Sequence, residues 1–556
     1  MKYPKNELAQ MVIASCVAYG VEEVVISPGS RNAPLTIGFS SHPDVEAYSI
    51  VDERSAGFVA LGIAQQKRKP VALVCTSGSA LLNYYPAIAE AYYSNIPLVV
   101  LSADRPAHLI DIGDGQTIRQ PHVFEKHIEY TTNLPANAIK ESALQLKEAL
   151  ETAILQRGPV HLNIPFDEPL YEGVPDMMTL PKYELPDASQ PWESETPLEV
   201  AFLEKFADIW NASVKKIVLV GTSFPDDLLK KQLDHLVKDP SVLVLVETTS
   251  NYSNQNAIHA IDQLLFPLSH EEFRGLQPEI LITLGGFVVS KKIKQFLRAY
   301  KPIEHWHIDA KVSLDTFHCM TQHFKLSPQL FFSQFFFLSS AKVSTFQEKW
   351  IQEKNRRREN HSSFLNGLNF CDLKVHEQVL KALPDAINLQ LGNSSIVRYT
   401  QLFDIKSTVA VFCNRGTSGI DGSTSTAIGA AMTSEKQTVF ITGDISFFYD
   451  SNAFWNRYIP NNFRVILVNN DGGGIFKFIP GPSSTDALDY FETPHGLNAS
   501  QLCDMYGVDY KKVNSLVSLQ VALEGFFEES NQPKLLEIQT PSNINDTLLK
   551  QYFSSL

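Results

Sequence analysis

Short apolar runs, each closed by a glycine, a proline or a polar turn, alternate along this chain with stretches whose apolar residues recur at helical spacing. From Asn6 to about Tyr19 the positions Leu8, Met11, Val12 and Cys16 predict an amphipathic helix stopped by Gly20. Val24-Val-Ile-Ser, Tyr48-Ser-Ile-Val-Asp, Val71-Ala-Leu-Val-Cys, Pro97-Leu-Val-Val-Leu-Ser and Pro159-Val-His-Leu-Asn-Ile-Pro predict buried strands. Helices are expected between them, over Ser55 to Gln66 and Ser79 to Tyr93. Repeated strand-helix units of this kind build a doubly wound parallel sheet with right-handed crossovers.

The alternation recurs twice. Tyr171 to Pro197, rich in proline and acidic residues, reads as a linker. A second α/β unit begins at Ile217-Val-Leu-Val-Gly and passes through Val242-Leu-Val-Leu-Val and Ile280-Leu-Ile-Thr-Leu-Gly-Gly to His305-Trp-His-Ile-Asp. Its turns at Gly221 and Gly285-Gly286 lack a full Gly-x-Gly-x-x-Gly fingerprint and read as those of a helper domain. Phe346 to Asn360, with Arg356-Arg-Arg, reads as a solvated connecting helix. A third unit runs through Ile387-Asn-Leu, Thr408-Val-Ala-Val-Phe, Val439-Phe-Ile-Thr and Val465-Ile-Leu-Val. The expected fold class is thus α/β, with three doubly wound parallel-sheet domains over residues 1–180, 198–345 and 372–556.

Composition narrows the functions. The 556 residues are 44% hydrophobic and 19% charged, an ordinary globular balance. A net charge of −14 argues against nucleic acid or an anionic membrane as the main partner. Any anionic substrate must be met by local Arg and Lys. Six scattered cysteines without a Cys-x-x-Cys pair fit reduced thiols in a cytoplasm better than disulfides or a zinc site. No apolar run approaches the roughly 18 residues of a membrane span, and no signal-like region opens the chain, so a soluble cytoplasmic protein without membrane insertion is expected.

The densest chemistry lies between Gly443 and Phe476. Two strands end in polar loops there, Gly443-Asp-Ile-Ser and Asn469-Asn-Asp-Gly-Gly-Gly-Ile-Phe, which should emerge at one carboxyl sheet edge. Asp444 and Asn470, 26 positions apart, are hard oxygen ligands suited with a main-chain carbonyl to Mg²⁺ or Ca²⁺, and the amides after Gly443 can cradle phosphate. Read singly, each loop is equally a tight turn or a helix cap. Glu53 follows an apolar strand at a helix entry, where burial would raise its pKa for proton exchange, although a first-turn acid favoured by the helix dipole reads the same way. Ser30, Arg31, Arg105, Gln116, Arg119, Ser394, Arg398 and Arg415 all fall on loops after strands, and several guanidinium groups in one pocket suit a substrate with more than one carboxylate. Ser77 and Ser418 lack the Gly-x-Ser-x-Gly elbow of a serine hydrolase.

Gly443-Asp-Ile-Ser through Asn469-Asn470 resembles the cofactor motif of thiamin-diphosphate-dependent enzymes, with Ile445 in place of the usual third glycine. Ser27-Pro-Gly-Ser-Arg-Asn-Ala-Pro-Leu, Asp52-Glu-Arg-Ser-Ala-Gly-Phe, Ser102-Ala-Asp-Arg-Pro and Asn414-Arg-Gly-Thr-Ser-Gly-Ile-Asp-Gly are similar to blocks of the menaquinone-pathway members, in which that variant is normal. The resemblance covers the first and third domains; in the middle it rests on Ser290-Lys-Lys. It implies that Asp444, Asn470 and the Gly472 carbonyl hold Mg²⁺ (or Mn²⁺), and that Gly443, Ser446 and Ile475 line the thiamin diphosphate site. Ile420 would buttress the cofactor, and Glu53 would protonate its aminopyrimidine. It implies 2-oxoglutarate and isochorismate as substrates. Ser394 and Arg398 would face the first, and Ser30, Arg31, Arg105, Gln116, Lys291 and Arg415 the second, with Phe476 as an apolar wall; Gln116 and Ser394 would join Glu53 as catalytic residues. It further implies a homodimer or homotetramer with active sites at the subunit interface. The competing readings are another thiamin-dependent 2-oxo acid decarboxylase or an acetohydroxyacid-synthase-like enzyme and, outside catalysis, a nucleotide-binding regulatory protein on the same fold.

Overall fold

The computed structural model describes residues 2–135, 139–178, 196–478 and 481–556. Most of the expected linker, including the boundary set at residue 180, lies outside them. Three six-stranded parallel sheets organise the chain. The N-terminal sheet holds β1 (Glu23–Ile26), β2 (Glu46–Ser49), β3 (Val71–Cys75), β4 (Leu98–Asp104), β5 (Tyr130–Asn133) and β6 (Val160–Pro165). The central sheet holds β7 (Lys216–Val220), β8 (Val242–Val246), β9 (Ala257–Ile258), β10 (Ile280–Leu284), β11 (Glu304–Ile308) and β12 (Gln322–Phe324). The C-terminal sheet holds β13 (Asn388–Leu391), β14 (Ala410–Cys413), β15 (Thr438–Gly443), β16 (Phe463–Asn469), β17 (Asp509–Val513) and β18 (Lys534–Gln539).

The outer two sheets share one strand order, β2-β1-β3-β4-β6-β5 and β14-β13-β15-β16-β18-β17, whereas the central sheet runs β9-β8-β7-β10-β11-β12. The central order reverses once and each outer order twice, and at the first reversal neighbouring loops part to leave a crevice beyond the strand ends. In the C-terminal sheet the crevice falls between β13 and β15, whose following loops carry Ser394 and Asp444. In the central sheet the equivalent turns lean on each other: a Cβ on Gly221 would lie 2.0 Å from the Gly286 carbonyl oxygen. This close backbone approach accounts for the glycines without a ligand.

Several elements differ from expectation for local reasons. β2 begins and ends earlier than the Tyr48 to Asp52 run, because Asp52 leaves the strand to cap the next helix, accepting from the N–H groups of Arg54 and Ser55. The helix expected over Ser79 to Tyr93 is two, Ser79–Asn83 and Tyr85–Ser94, because Pro86 has no N–H to return to the preceding turn. The charged helix extends over Phe346–Asn366, and its arginines are spent in ion pairs, Arg356 and Arg357 with Glu353 and Arg358 with Asp404. The cysteines are free thiols, all buried except the partly exposed Cys319. Among the described residues no helix is long and apolar enough to cross a membrane.

Five helices position the site: α1 (Glu53–Lys67), α2 (Tyr85–Ser94), α3 (Asp372–Ala382), α4 (Ser423–Met432) and α5 (Asp444–Tyr449). α1 and α4 join the N-terminal and C-terminal units through glycines. A Cβ on Gly62 would lie 2.1 Å from the Thr426 carbonyl oxygen, and one on Gly429 2.0 Å from that of Val59. Glu90 of α2, 1% exposed, adds a polar clamp, accepting from Gly416 N–H at 2.8 Å and Thr417 N–H at 2.6 Å.

Candidate active site

β15 delivers Asp444 to the first turn of α5, and β16 delivers Asn470 to the adjacent loop. Asp444 is buried, and its carboxylate accepts from Ile445 N–H at 2.8 Å and from Gly472 N–H at 2.9 Å. Gly472 manages this at a φ of +142°, with no room for a side chain: a Cβ would meet the Glu492 carbonyl oxygen at 2.5 Å. Burial pushes the Asp444 carboxyl above its ordinary range, opposed by those two N–H groups and by His495, whose Nε2 lies 3.3 Å from Oδ2. Asn470 donates its Nδ2 to the buried Asp372 at 2.8 Å, and burial, with the Asp444 charge adding to it, pushes Asp372 up to about 6.

Two neighbouring buried carboxylates, neither with a Lys or Arg ion pair among the described residues, leave a concentration of negative charge that a cation would offset. The donors at hand are carboxylate, amide and carbonyl oxygens, which suit a small hard divalent ion. The Gly472 carbonyl already accepts from Gly474 N–H at 2.9 Å and keeps one lone pair. Ser446, also buried, donates to the Ile420 carbonyl at 3.1 Å and thereby ties the two loops expected to hold the cofactor. These residues fit a metal-bound diphosphate.

Asn470, Ile475 and Arg398 line one small cavity of about 60 Å³. Arg398 is half-buried, donates to the Ser394 carbonyl at 2.5 Å and has its charge disfavoured by burial and by nearby Arg415. Arg415 is 8% exposed and donates to Asn393 at 2.7 Å, while its Nε has no partner among the described residues. Lys294 belongs with this group. Burial lowers its pKa, Glu247 opposes that, and Arg415 and Arg398 add to it. Local sequence gave no sign of Lys294, because its side chain is brought round by a helix anchored elsewhere: buried Glu247 accepts from Val289 and Ser290 N–H groups, both at 2.7 Å. Lys291, at the start of that helix, is exposed. Phe476 packs against Phe491 with ring centroids 5.5 Å apart.

Ser30, Arg31, Arg105 and Gln116 gather at the carboxyl edge of the N-terminal sheet. Arg31 is buried and donates to the Phe166 carbonyl at 3.0 Å, whereas Ser30 is exposed. Arg105 donates to the Gly115 carbonyl at 3.0 Å, and Gln116 exchanges hydrogen bonds with Ser77. Ser394 and Gln116 have φ of 66° and 57°, left-handed backbone that non-glycine residues seldom adopt. Arg119 is exposed and paired with Asp111 at 2.8 Å, apart from this group.

Glu53 is half-buried rather than largely buried, because it sits in the open first turn of α1, where Asn83 donates to it at 3.3 Å. Its neighbours fasten that turn to the C-terminal unit: Arg54 donates to the Asp421 carbonyl at 2.5 Å and Asp52 accepts from Asn452 at 2.9 Å.

Residues 6–129 match the thiamine pyrophosphate enzyme N-terminal TPP binding domain, residues 185–391 the middle domain of such enzymes, and residues 391–538 their C-terminal TPP binding domain. Fold and site therefore define a thiamine pyrophosphate enzyme. A protein of Flavobacterium johnsoniae is 50% identical over the full length of both chains, and one of Christiangramia forsetii is 49% identical over all of this chain and 99% of its own. A more distant relative from Porphyromonas gingivalis is 38% identical over 96% of this chain and 94% of its own. All three are named 2-succinyl-5-enolpyruvyl-6-hydroxy-3-cyclohexene-1-carboxylate synthase, and the chain belongs to that family.

Proposed function

We propose that the protein releases CO₂ from 2-oxoglutarate with thiamin diphosphate and joins the remaining four-carbon unit to isochorismate. The product is 2-succinyl-5-enolpyruvyl-6-hydroxy-3-cyclohexene-1-carboxylate, an intermediate of menaquinone biosynthesis. The observation that carries this reading is the cluster of Arg398, Arg415 and Lys294, in which burial and the Arg415 charge lower the pKa of both Arg398 and Lys294. Substrates with two carboxylates need such a surplus of positive charge, and a small monoanionic 2-oxo acid does not.

Asp444, Asn470 and the Gly472 carbonyl are the groups that would hold Mg²⁺ or Mn²⁺. Ser446, Gly443 and the first N–H groups of α5 would hold the diphosphate, and Ile420 and Ile475 would wall the cofactor. Bound thiamin diphosphate supplies a nucleophilic carbon and an electron sink for loss of CO₂. Within that site Glu53 exchanges a proton with the cofactor's ring nitrogen, Ser394 and Arg398 hold the 2-oxoglutarate carboxylates, and Gln116 orients the reacting groups. Ser30, Arg31, Arg105, Arg415 and Lys291 hold isochorismate, and Phe476 excludes water.

The active assembly is a homodimer or a pair of dimers, in which Glu53 of one copy completes the diphosphate site of another. Its support is the half-open position of Glu53, flanked by the exposed apolar residues Val51, Leu82 and Tyr449. Free, mostly buried thiols fit a cytoplasmic enzyme. Purified protein tests the reading through CO₂ release that depends on isochorismate, 2-oxoglutarate, thiamin diphosphate and Mg²⁺ together.

A further inference from the structure

We infer that Asp372 is a positioning residue that decides which end of the Asn470 side chain faces the cation site. The inference rests on the proposed role of Asn470 as a cation ligand. An asparagine amide has an oxygen at one end and an NH₂ at the other, and only the oxygen binds a metal. Nothing in Asn470 itself selects between them.

Asp372 makes the selection. It opens α3, is 2% exposed, and its Oδ2 accepts from Asn470 Nδ2 at 2.8 Å. The oxygen of Asp372 takes the NH₂ end of Asn470, and the amide plane then turns Oδ1 to the opposite side. Asp372 is itself held from two directions. Thr540 donates its hydroxyl to Oδ1 at 2.5 Å, and the Asp372 backbone N–H donates to Asn545 at 2.9 Å. Asn545 is fixed in turn through its Nδ2, which donates to the Pro541 carbonyl at 2.8 Å. Gly474 leaves room for the amide: a Cβ there would lie 3.1 Å from Asn470 Nδ2. The chain running from Pro541 to Asn470 thus orients a proposed metal ligand from behind, as buried carboxylates do for metal-bound side chains generally.

The test uses the full-length protein and the Mg²⁺ dependence of thiamin diphosphate binding by calorimetry, with the unfolding midpoint of the cofactor-free protein as a check on the fold. Asp372→Leu, of similar shape but no acceptor, is expected to raise the Mg²⁺ needed for half-maximal binding by about tenfold or more. Asp372→Leu combined with Asn470→Asp is expected to recover most of that loss, because a carboxylate presents an oxygen whichever way it turns. If Asp372→Leu does not fold, Asp372→Ser, whose hydroxyl ends short of the amide, replaces it with the same expected loss and rescue. A wild type that binds normally while Asp372→Leu is unchanged, or a double variant no better than the single one, overturns the inference alone. A wild type that binds no thiamin diphosphate with Mg²⁺ overturns the proposed function and this inference with it.

Discussion

The buried carboxylate of Glu90 accepts the backbone N–H of Thr417 at 2.6 Å, across the junction of the N-terminal and C-terminal units. It also accepts the Thr417 hydroxyl at 2.7 Å and Gly416 N–H at 2.8 Å, so one side chain fixes the loop that carries Arg415 and Ile420. Glu90→Ala would strand these donors at about 1–3 kcal/mol for each that stays buried. The expected outcome is a lower urea midpoint together with a raised KM for isochorismate. A variant with wild-type values of both would show that the clamp is idle.

The α1–α4 crossing predicts a second set of losses. Gly62→Ala and Gly429→Ala each drive a methyl into backbone, Thr426 and Val59 respectively, where no rotamer can yield. Overpacking of this kind costs about 1–3 kcal/mol, and backbone against backbone belongs at the upper end. Gly115→Ala, with open space around its Cβ, is the control and should leave the denaturation midpoint unchanged.

Asp450 predicts a pH dependence. Burial pushes its carboxyl up to about 7, against the Ser425 N–H, which donates to it at 2.7 Å, and the nearby Arg54. An unfolded aspartate titrates near about 4, so between there and about 7 the folded protein holds the extra proton. The Asp450 contribution to stability therefore falls as pH rises through that window and levels off above it. Glu247, also raised by burial to about 7, acts in the same direction. Urea midpoints at pH 5.5 and 7.5 should drop less in Asp450→Asn than in wild type, and an equal drop in both proteins would contradict the assignment.

The two halves of the proposed site should fail differently. Gly472→Ala meets both a positive φ and the Glu492 carbonyl, so it should move the N–H that holds Asp444 and weaken Mg²⁺-dependent cofactor binding by about tenfold or more. Glu53→Gln keeps its shape and should bind cofactor normally while losing most turnover. Calorimetry beside a single-turnover assay separates the two, and near-normal turnover in Glu53→Gln would count against its proton role.

Legibility in the sequence followed apolar composition, and the buried β18, interrupted by Glu537, escaped it. β3 and β8 are continuous apolar runs, and β4 and β15 are built on the shorter runs 98–101 and 439–441, so all four can be read directly, because strands covered on both faces have no polar alternation. β5, Tyr-Thr-Thr-Asn, and β17, Asp-Tyr-Lys-Lys-Val, are edge strands with solvent on one side, and their polar composition hides them. Within the proposed site, the two loops after β15 and β16 are legible because each carries its candidate ligands in one short motif. Asp372 lies 98 positions from Asn470, and Lys294 reaches Arg398 and Arg415 only through the fold, so neither leaves a local trace. Glu53 was legible as a residue, while its degree of burial depended on neighbours supplied by tertiary structure.

The measurement that bears most directly on the central claim is steady-state turnover of the purified protein with 2-oxoglutarate and isochorismate, in thiamin diphosphate and Mg²⁺. The predicted result is one CO₂ released for each isochorismate consumed, with little release when either substrate is omitted. Equal turnover of pyruvate alone, or no CO₂ release coupled to isochorismate, would contradict it.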